Sequence, residues 1–142
     1  MQRLVDATSP PRPSRVLVVD DEPELRQTIG RGLTRSGYEV TVAANGREAL
    51  AELTTDPDVD AVITDIDMPI MAGPELAGEV LDHHPGVPVL FVSSSPLPDH
   101  LLDHPLVDHL PKPPSMGGLR SRLGNLLRVA AAHTRRRPAA QA

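Results

Sequence analysis

Four short apolar runs of this 142-residue chain lead into residues that could do phosphoryl chemistry together. Asp20 and Asp21 follow the first run, Asp65 closes another, Ser93 ends a third, and Lys112 follows the last. Three carboxylates drawn within a few ångströms repel by about 4 kcal/mol per pair at roughly 4 Å and an effective dielectric near 20. Such a cluster either keeps protons or takes a cation. Hard oxygen donors favour Mg2+, which retains several waters and takes few carboxylates. A carboxylate can also act as the nucleophile that forms an aspartyl phosphate. In-line phosphoryl transfer then needs positioning and neutralisation of the equatorial oxygens. A divalent cation, a lysine acting as a point charge and a serine hydroxyl can share that work. Lys112 is the single lysine of the chain. Each residue also has a plainer reading: Asp20-Asp21 ahead of Pro23 can cap a helix, worth about 1 kcal/mol. Asp65 can be a solvated strand end, and Ser93, one of three serines in a row, can be turn chemistry.

The elements that would hold these residues are legible in the apolar pattern. Val16–Val19, Tyr38–Val42, Asp60–Asp65, Val87–Val92 and Val107–Leu110 read as strands, the first of them apolar on both faces as a central parallel strand is. Leu25, Ile29 and Leu33 recur at helical spacing from Pro23 to about Ser36, and Gly37 stands where a helix stops. Further helices are expected around Ala49, Leu50 and Leu53, over Pro74–His84, and over Leu119–Ala132, with at best a short one between Leu97 and His104. Alternation of strand and helix five times predicts a parallel sheet with helices on both faces. Ligands of such sheets bind beyond the carboxyl ends of the strands, where Asp20, Asp21, Asp65, Ser93 and Lys112 would meet.

Composition narrows the classes. The length fits one domain, and 39% apolar residues suffice for a core. One Tyr, one Phe and no Trp argue against a stacking platform for single-stranded nucleic acid. The absence of Cys excludes disulfide and thiolate-metal scaffolds and permits a reducing cytosol. No apolar run approaches the length of a membrane span, and no secretory signal is evident, so a cytoplasmic location is expected. The net charge of −5 divides into +2 for residues 1–15, +4 for 128–142 and −11 between. An acidic body with basic ends does not suit a DNA-binding domain. The ends, 1–14 and 131–142, are expected to be disordered, with the folded domain spanning 15–130.

The chain resembles a response-regulator receiver domain. The resemblance is carried by Asp20-Asp21, by Asp65-Ile66-Asp67-Met68-Pro69-Ile70-Met71-Ala72-Gly73, by Pro88–Ser94 and by Lys112-Pro113. The stretches Gly37–Val40 and Asn45–Leu50 add to it, and it covers roughly residues 15–130. It implies a doubly wound, flavodoxin-like α/β fold with strand order 2-1-3-4-5. It also implies that Asp65 is the phosphoacceptor and that Asp21 and Asp65 bind Mg2+ directly, with Asp20 acting mainly through water and Asp67 through its backbone carbonyl. Ser93 becomes the switch hydroxyl, Lys112 the phosphoryl-binding cation, and Lys112–Pro113 a cis peptide bond. A sensor histidine kinase or phosphotransfer protein would donate the phosphoryl group, and an unidentified downstream protein would read the result. The protein would be a switch that assists its own phosphorylation and hydrolysis, not a metabolic enzyme. With about ten residues left after the last helix, a stand-alone receiver without a DNA-binding domain is expected.

Departures from the family pattern sit on the output side. His109 stands where an aromatic switch residue is usual. Pro96, Pro98, Pro105 and Pro111 break the segment between Ser93 and Lys112, and Ala72 and Pro114 replace more common residues. Two other readings are open. A receiver-fold interaction module without phosphorylation is prompted by the proline-rich 96–114 segment. A haloacid-dehalogenase-like phosphohydrolase is prompted by Asp65-Ile66-Asp67, although that motif normally follows the first strand.

Overall fold

The computed structural model describes residues 12–135. Five strands form one parallel sheet: β1 (Arg15–Val19), β2 (Glu39–Ala43), β3 (Ala61–Thr64), β4 (Val89–Ser93) and β5 (Val107–Pro111). Their order is β2-β1-β3-β4-β5, as the resemblance implies. The helices between and after them are α1 (Pro23–Arg35), α2 (Gly46–Thr55), α3 (Gly73–His83), the one-turn α4 (Asp99–Leu102) and α5 (Met116–Arg135).

The apolar runs of β1, β3 and β4 are strands whose side chains are buried on both faces. Val16 to Val19 alternate between two cores. Leu17 and Val19 join Val62, Val89 and Phe91 beneath α2 and α3. Val16 and Val18 join Ile63, Leu90 and Val92 beneath α1 and α5. The helix starts follow local chemistry. Pro23 occupies the first turn of α1, where a missing N–H costs nothing. At α2 the Asn45 side chain accepts from the Glu48 amide at 2.9 Å, and Glu48 accepts in return from the Ala44 amide at 3.0 Å, a reciprocal cap. Gly37, at φ +100°, ends α1, and the Tyr38 amide is committed to the Leu33 carbonyl at 3.1 Å.

That commitment moves β2 one residue along, to 39–43 instead of 38–42. Val87 is likewise occupied, its amide bonding to His84 at 3.1 Å, so β4 starts at Val89 rather than Val87. Asp60 lies just outside β3, where its carboxylate accepts from the Arg15 amide at 2.8 Å. The last helix is longer than expected at both ends. It begins at Met116 because the Ser115 hydroxyl accepts from the Gly118 amide at 2.9 Å, a cap that outweighs the poor propensity of Gly117-Gly118. It continues to Arg135, so residues 131–135 are helix and not tail. At the other end the Ser14 carbonyl accepts from Glu39 at 2.9 Å, and Arg12 lies 3.5 Å from Asp60, which ties residues 12–14 to the body. The rest of the expected disordered arm and tail lies outside the described residues.

Candidate functional site

Parallel strands present all their carboxyl ends at one edge, and the hydrogen-bond ladder runs one residue past several of them. The Asp20 amide bonds to Ala43 at 3.2 Å, that of Asp65 to Val19 at 3.3 Å, and that of Lys112 to Ser93 at 3.2 Å. These bonds set Asp20, Asp65, Ser93 and Lys112 in a row along the edge. Carboxylate oxygens of Asp20, Asp21 and Asp65 lie within 4.8 Å of one another. Asp20 and Asp65 are buried, at 2% and 7% exposure, while Asp21 faces solvent.

The Lys112 ammonium reaches into this cluster. Its Nζ lies 2.8 Å from Asp65 Oδ2, 3.0 Å from Glu22 Oε1 and 3.3 Å from Asp20 Oδ2. Burial alone would lower the lysine pKa, but hydrogen bonds to Asp65 and Glu22, with the charges of Asp20 and Asp65, raise it above the ordinary value. Asp20 moves up as well, chiefly because burial penalises its charge; the Glu22 amide (2.9 Å to Oδ1) and Lys112 counteract this only in part. The other oxygen of Asp65, Oδ1, accepts from the Ile66 amide at 2.6 Å and the Asp67 amide at 3.4 Å. The carboxylate is thus fixed between backbone N–H groups on one side and a cation on the other.

Hard oxygen donors around an excess of negative charge fit a divalent cation: the Lys112 ammonium contacts Asp20, Glu22 and Asp65, and Asp21 adds a further carboxylate to the cluster. The expected cis bond is present between Lys112 and Pro113. Gly73 closes the floor of the site. Its amide bonds to the Ile66 carbonyl at 2.8 Å, and a Cβ there would collide with the Asp65 carbonyl oxygen.

Of the residues expected from sequence, Asp20, Asp21, Asp65 and Lys112 converge. Ser93, 1% exposed, lies at the same edge, but its Oγ is engaged by the Ser95 amide at 2.9 Å. Asp67 directs its side chain to the Ser95 hydroxyl. His109 is not at the cluster. It pairs in register with Phe91, two residues below the Ser93–Pro111 pair, and its Nε2 is buried without a hydrogen-bond partner. Sequence reasoning missed Glu22, although it directly continues the Asp20-Asp21 pair. It also missed Arg26, whose Nη1 donates to the Asp20 carbonyl at 2.7 Å, and Ser95, which nothing in the sequence separates from its two serine neighbours.

Comparison with known proteins gives this geometry a family. A family model for the response regulator receiver domain matches residues 16–124. The chain belongs to that family. Response regulator MprA of Mycolicibacterium vanbaalenii is 35% identical over 119 residues, covering 82% of this chain and 51% of MprA. The sensor histidine kinase TmoS of Ectopseudomonas mendocina is 37% identical over 118 residues, covering 80% of this chain and 12% of that protein. The chain therefore spans about half the length of MprA and a small part of TmoS. Among solved structures, Vibrio cholerae chemotaxis protein CheY4 superposes with a TM-score of 0.72 at 31% identity, covering 81% of this chain and 99% of that one. Thermotoga maritima response regulator TrrA, solved with Mg(2+)-BeF, gives 0.71 at 31% identity, with 80% and 98% coverage. Receiver domains are the signalling switches of two-component phosphorelays, and this chain carries that fold and that acidic edge. Among the described residues no helix is long and apolar enough to cross a membrane.

Proposed function

We propose that this receiver accepts a phosphoryl group on Asp65 from a sensor histidine kinase or phosphotransfer protein, in a Mg2+-dependent reaction, and thereby switches the binding of a downstream protein. The observation that carries the reading is the 2.8 Å contact between Lys112 Nζ and Asp65 Oδ2 inside a three-carboxylate cluster. Asp21 and Asp65 would hold the cation, with Asp20 acting through water and the Asp67 carbonyl completing the protein's donors. Bound there, Mg2+ supplies positive charge to the equatorial phosphoryl oxygens.

The chain's own residues do the rest. An Asp65 oxygen forms the new O–P bond as the donor's P–N bond breaks, and the imidazole leaves with the electron pair. Backbone amides of Ile66 and Asp67 hold the Asp65 carboxylate in one orientation, which saves the entropy of finding it. Lys112 already touches the accepting carboxylate and transfers its ion pair to the incoming group. Ser93 donates to a phosphoryl oxygen in the switched state, and the difference in contacts between the two states sets the population shift. The role is that of a cytoplasmic switch used once per phosphorylation.

Incubation with acetyl phosphate and Mg2+ tests this by intact mass. One added phosphoryl group on the wild type, absent in Asp65→Asn and absent with EDTA, supports the reading; unchanged labelling of Asp65→Asn overturns it. Action as a stand-alone receiver belongs to the same proposal. A native protein of 15.2 kDa supports it, and a longer native chain removes it.

A further inference from the structure

The loops after β3 and β4 are joined by a hydrogen bond that the phosphoryl chemistry does not use. Asp67, in the loop after β3, accepts through Oδ2 from the hydroxyl of Ser95, in the loop after β4. The same Ser95 donates its backbone amide to Ser93 Oγ at 2.9 Å. Ser95 therefore reads Asp67 with its side chain and holds Ser93 with its backbone. Two residues on, Leu97 is buried in the core beside Leu101 of the one-turn α4. Along the chain, Ser93 at the acidic edge and the start of α4 at Asp99 are joined by these few residues.

We propose that Ser95 and Asp67 form a clasp that holds Ser93 in its resting position, and that phosphorylation of Asp65 opens it. Ser95 is then a positioning residue for switching. The inference rests on Asp65 as phosphoacceptor and deepens it. The driving forces are electrostatic. A phosphoryl group on Asp65 brings more negative charge beside the Asp67 carboxylate, two residues along the chain, and repels it. It also offers the Ser95 hydroxyl a stronger acceptor. Once Ser95 leaves Asp67, its amide no longer fixes Ser93 Oγ, and the 94–98 segment, short and interrupted by Pro96 and Pro98, is free to rearrange toward α4.

Hydrogen exchange of the Ser94, Ser95 and Leu97 amides, read on the full chain with Mg2+ and with or without acetyl phosphate, tests the clasp. In donor-free protein, Ser95→Ala and Asp67→Ala should each speed exchange of this segment about fivefold. The double variant should add nothing further, and Ser95→Thr, which keeps a hydroxyl, should restore the wild-type rate. Phosphorylation should raise exchange in the wild type and leave Ser95→Ala nearly unchanged. Wild-type exchange in donor-free Ser95→Ala, or additive effects of the two alanines, would overturn the clasp. The donor-free arm needs no phosphorylation, so failure of Asp65 to label would count against the proposed function while the clasp is judged separately.

Discussion

Lys112 sets one positive charge against the carboxylates of Asp20, Glu22 and Asp65, and its placement leaves the edge with a surplus of negative charge. Burial has a consequence for stability at Asp20. Burial raises its pKa in the folded state, so the folded protein binds this proton more tightly than the unfolded chain does. The corresponding stability is fully present below the unfolded value of about 3.9 and is lost as pH rises through the folded value. In EDTA, Asp20→Asn is therefore expected to be more stable than wild type at about pH 7, with the gain shrinking toward about pH 4. Urea midpoints at the two pH values check it. His109 makes a second case. An unsatisfied buried nitrogen costs about 1–3 kcal/mol, and Phe, though larger, is free of that cost and has room at a half-buried position. His109→Phe should raise stability by about 1 kcal/mol, seen as a higher urea midpoint with an unchanged slope.

Among the elements, the turn into α3 is the most tightly constrained part of the site. Gly73 packs its Cα against the Asp65 carbonyl, so Gly73→Ala should cost about 2 kcal/mol or more in urea denaturation, through overpacking. Gly78, in the same helix, has open space where a Cβ would be, and Gly78→Ala should instead stabilise by up to about 1 kcal/mol. Equal effects at the two positions would contradict this account. The same turn contains Ile70 at φ +74°, an unusual backbone setting for a β-branched residue. Strands β1, β3 and β4 were legible in the sequence because both of their faces are apolar, and the first helix because Pro23 and Gly37 mark its ends. Element ends were less legible wherever a backbone group was already committed. Tyr38 serves the end of α1, Val87 bonds to His84, and Ser115 caps a helix that its two glycines argue against.

For the molecule as a whole, topology converts separated residues into one site. Asp20, Asp65 and Lys112 are far apart in the chain, yet strands β1, β3 and β5 point their ends the same way. That part was legible because charged residues at strand ends are distinctive against apolar runs. The Ser95–Asp67 contact and the lysine's third partner, Glu22, were not. They depend on loop conformation, which identical serines and a run of acids do not encode in their pattern. A cation that binds the folded edge and not the unfolded chain should stabilise the whole domain, by about 2.7 kcal/mol at a concentration one hundred times its Kd. Thermal unfolding with Mg2+ should show that rise in the wild type and lose most of it in Asp21→Asn.

The central claim is chemical, and borohydride reduction addresses it most directly. An acyl phosphate on an aspartate is reduced to homoserine, which peptide mass spectrometry locates by position. After treatment with acetyl phosphate and Mg2+, the account predicts homoserine at position 65 and aspartate unchanged at 20, 21 and 67. Homoserine at any of those three positions with Asp65 intact, or none anywhere after labelling, would contradict it.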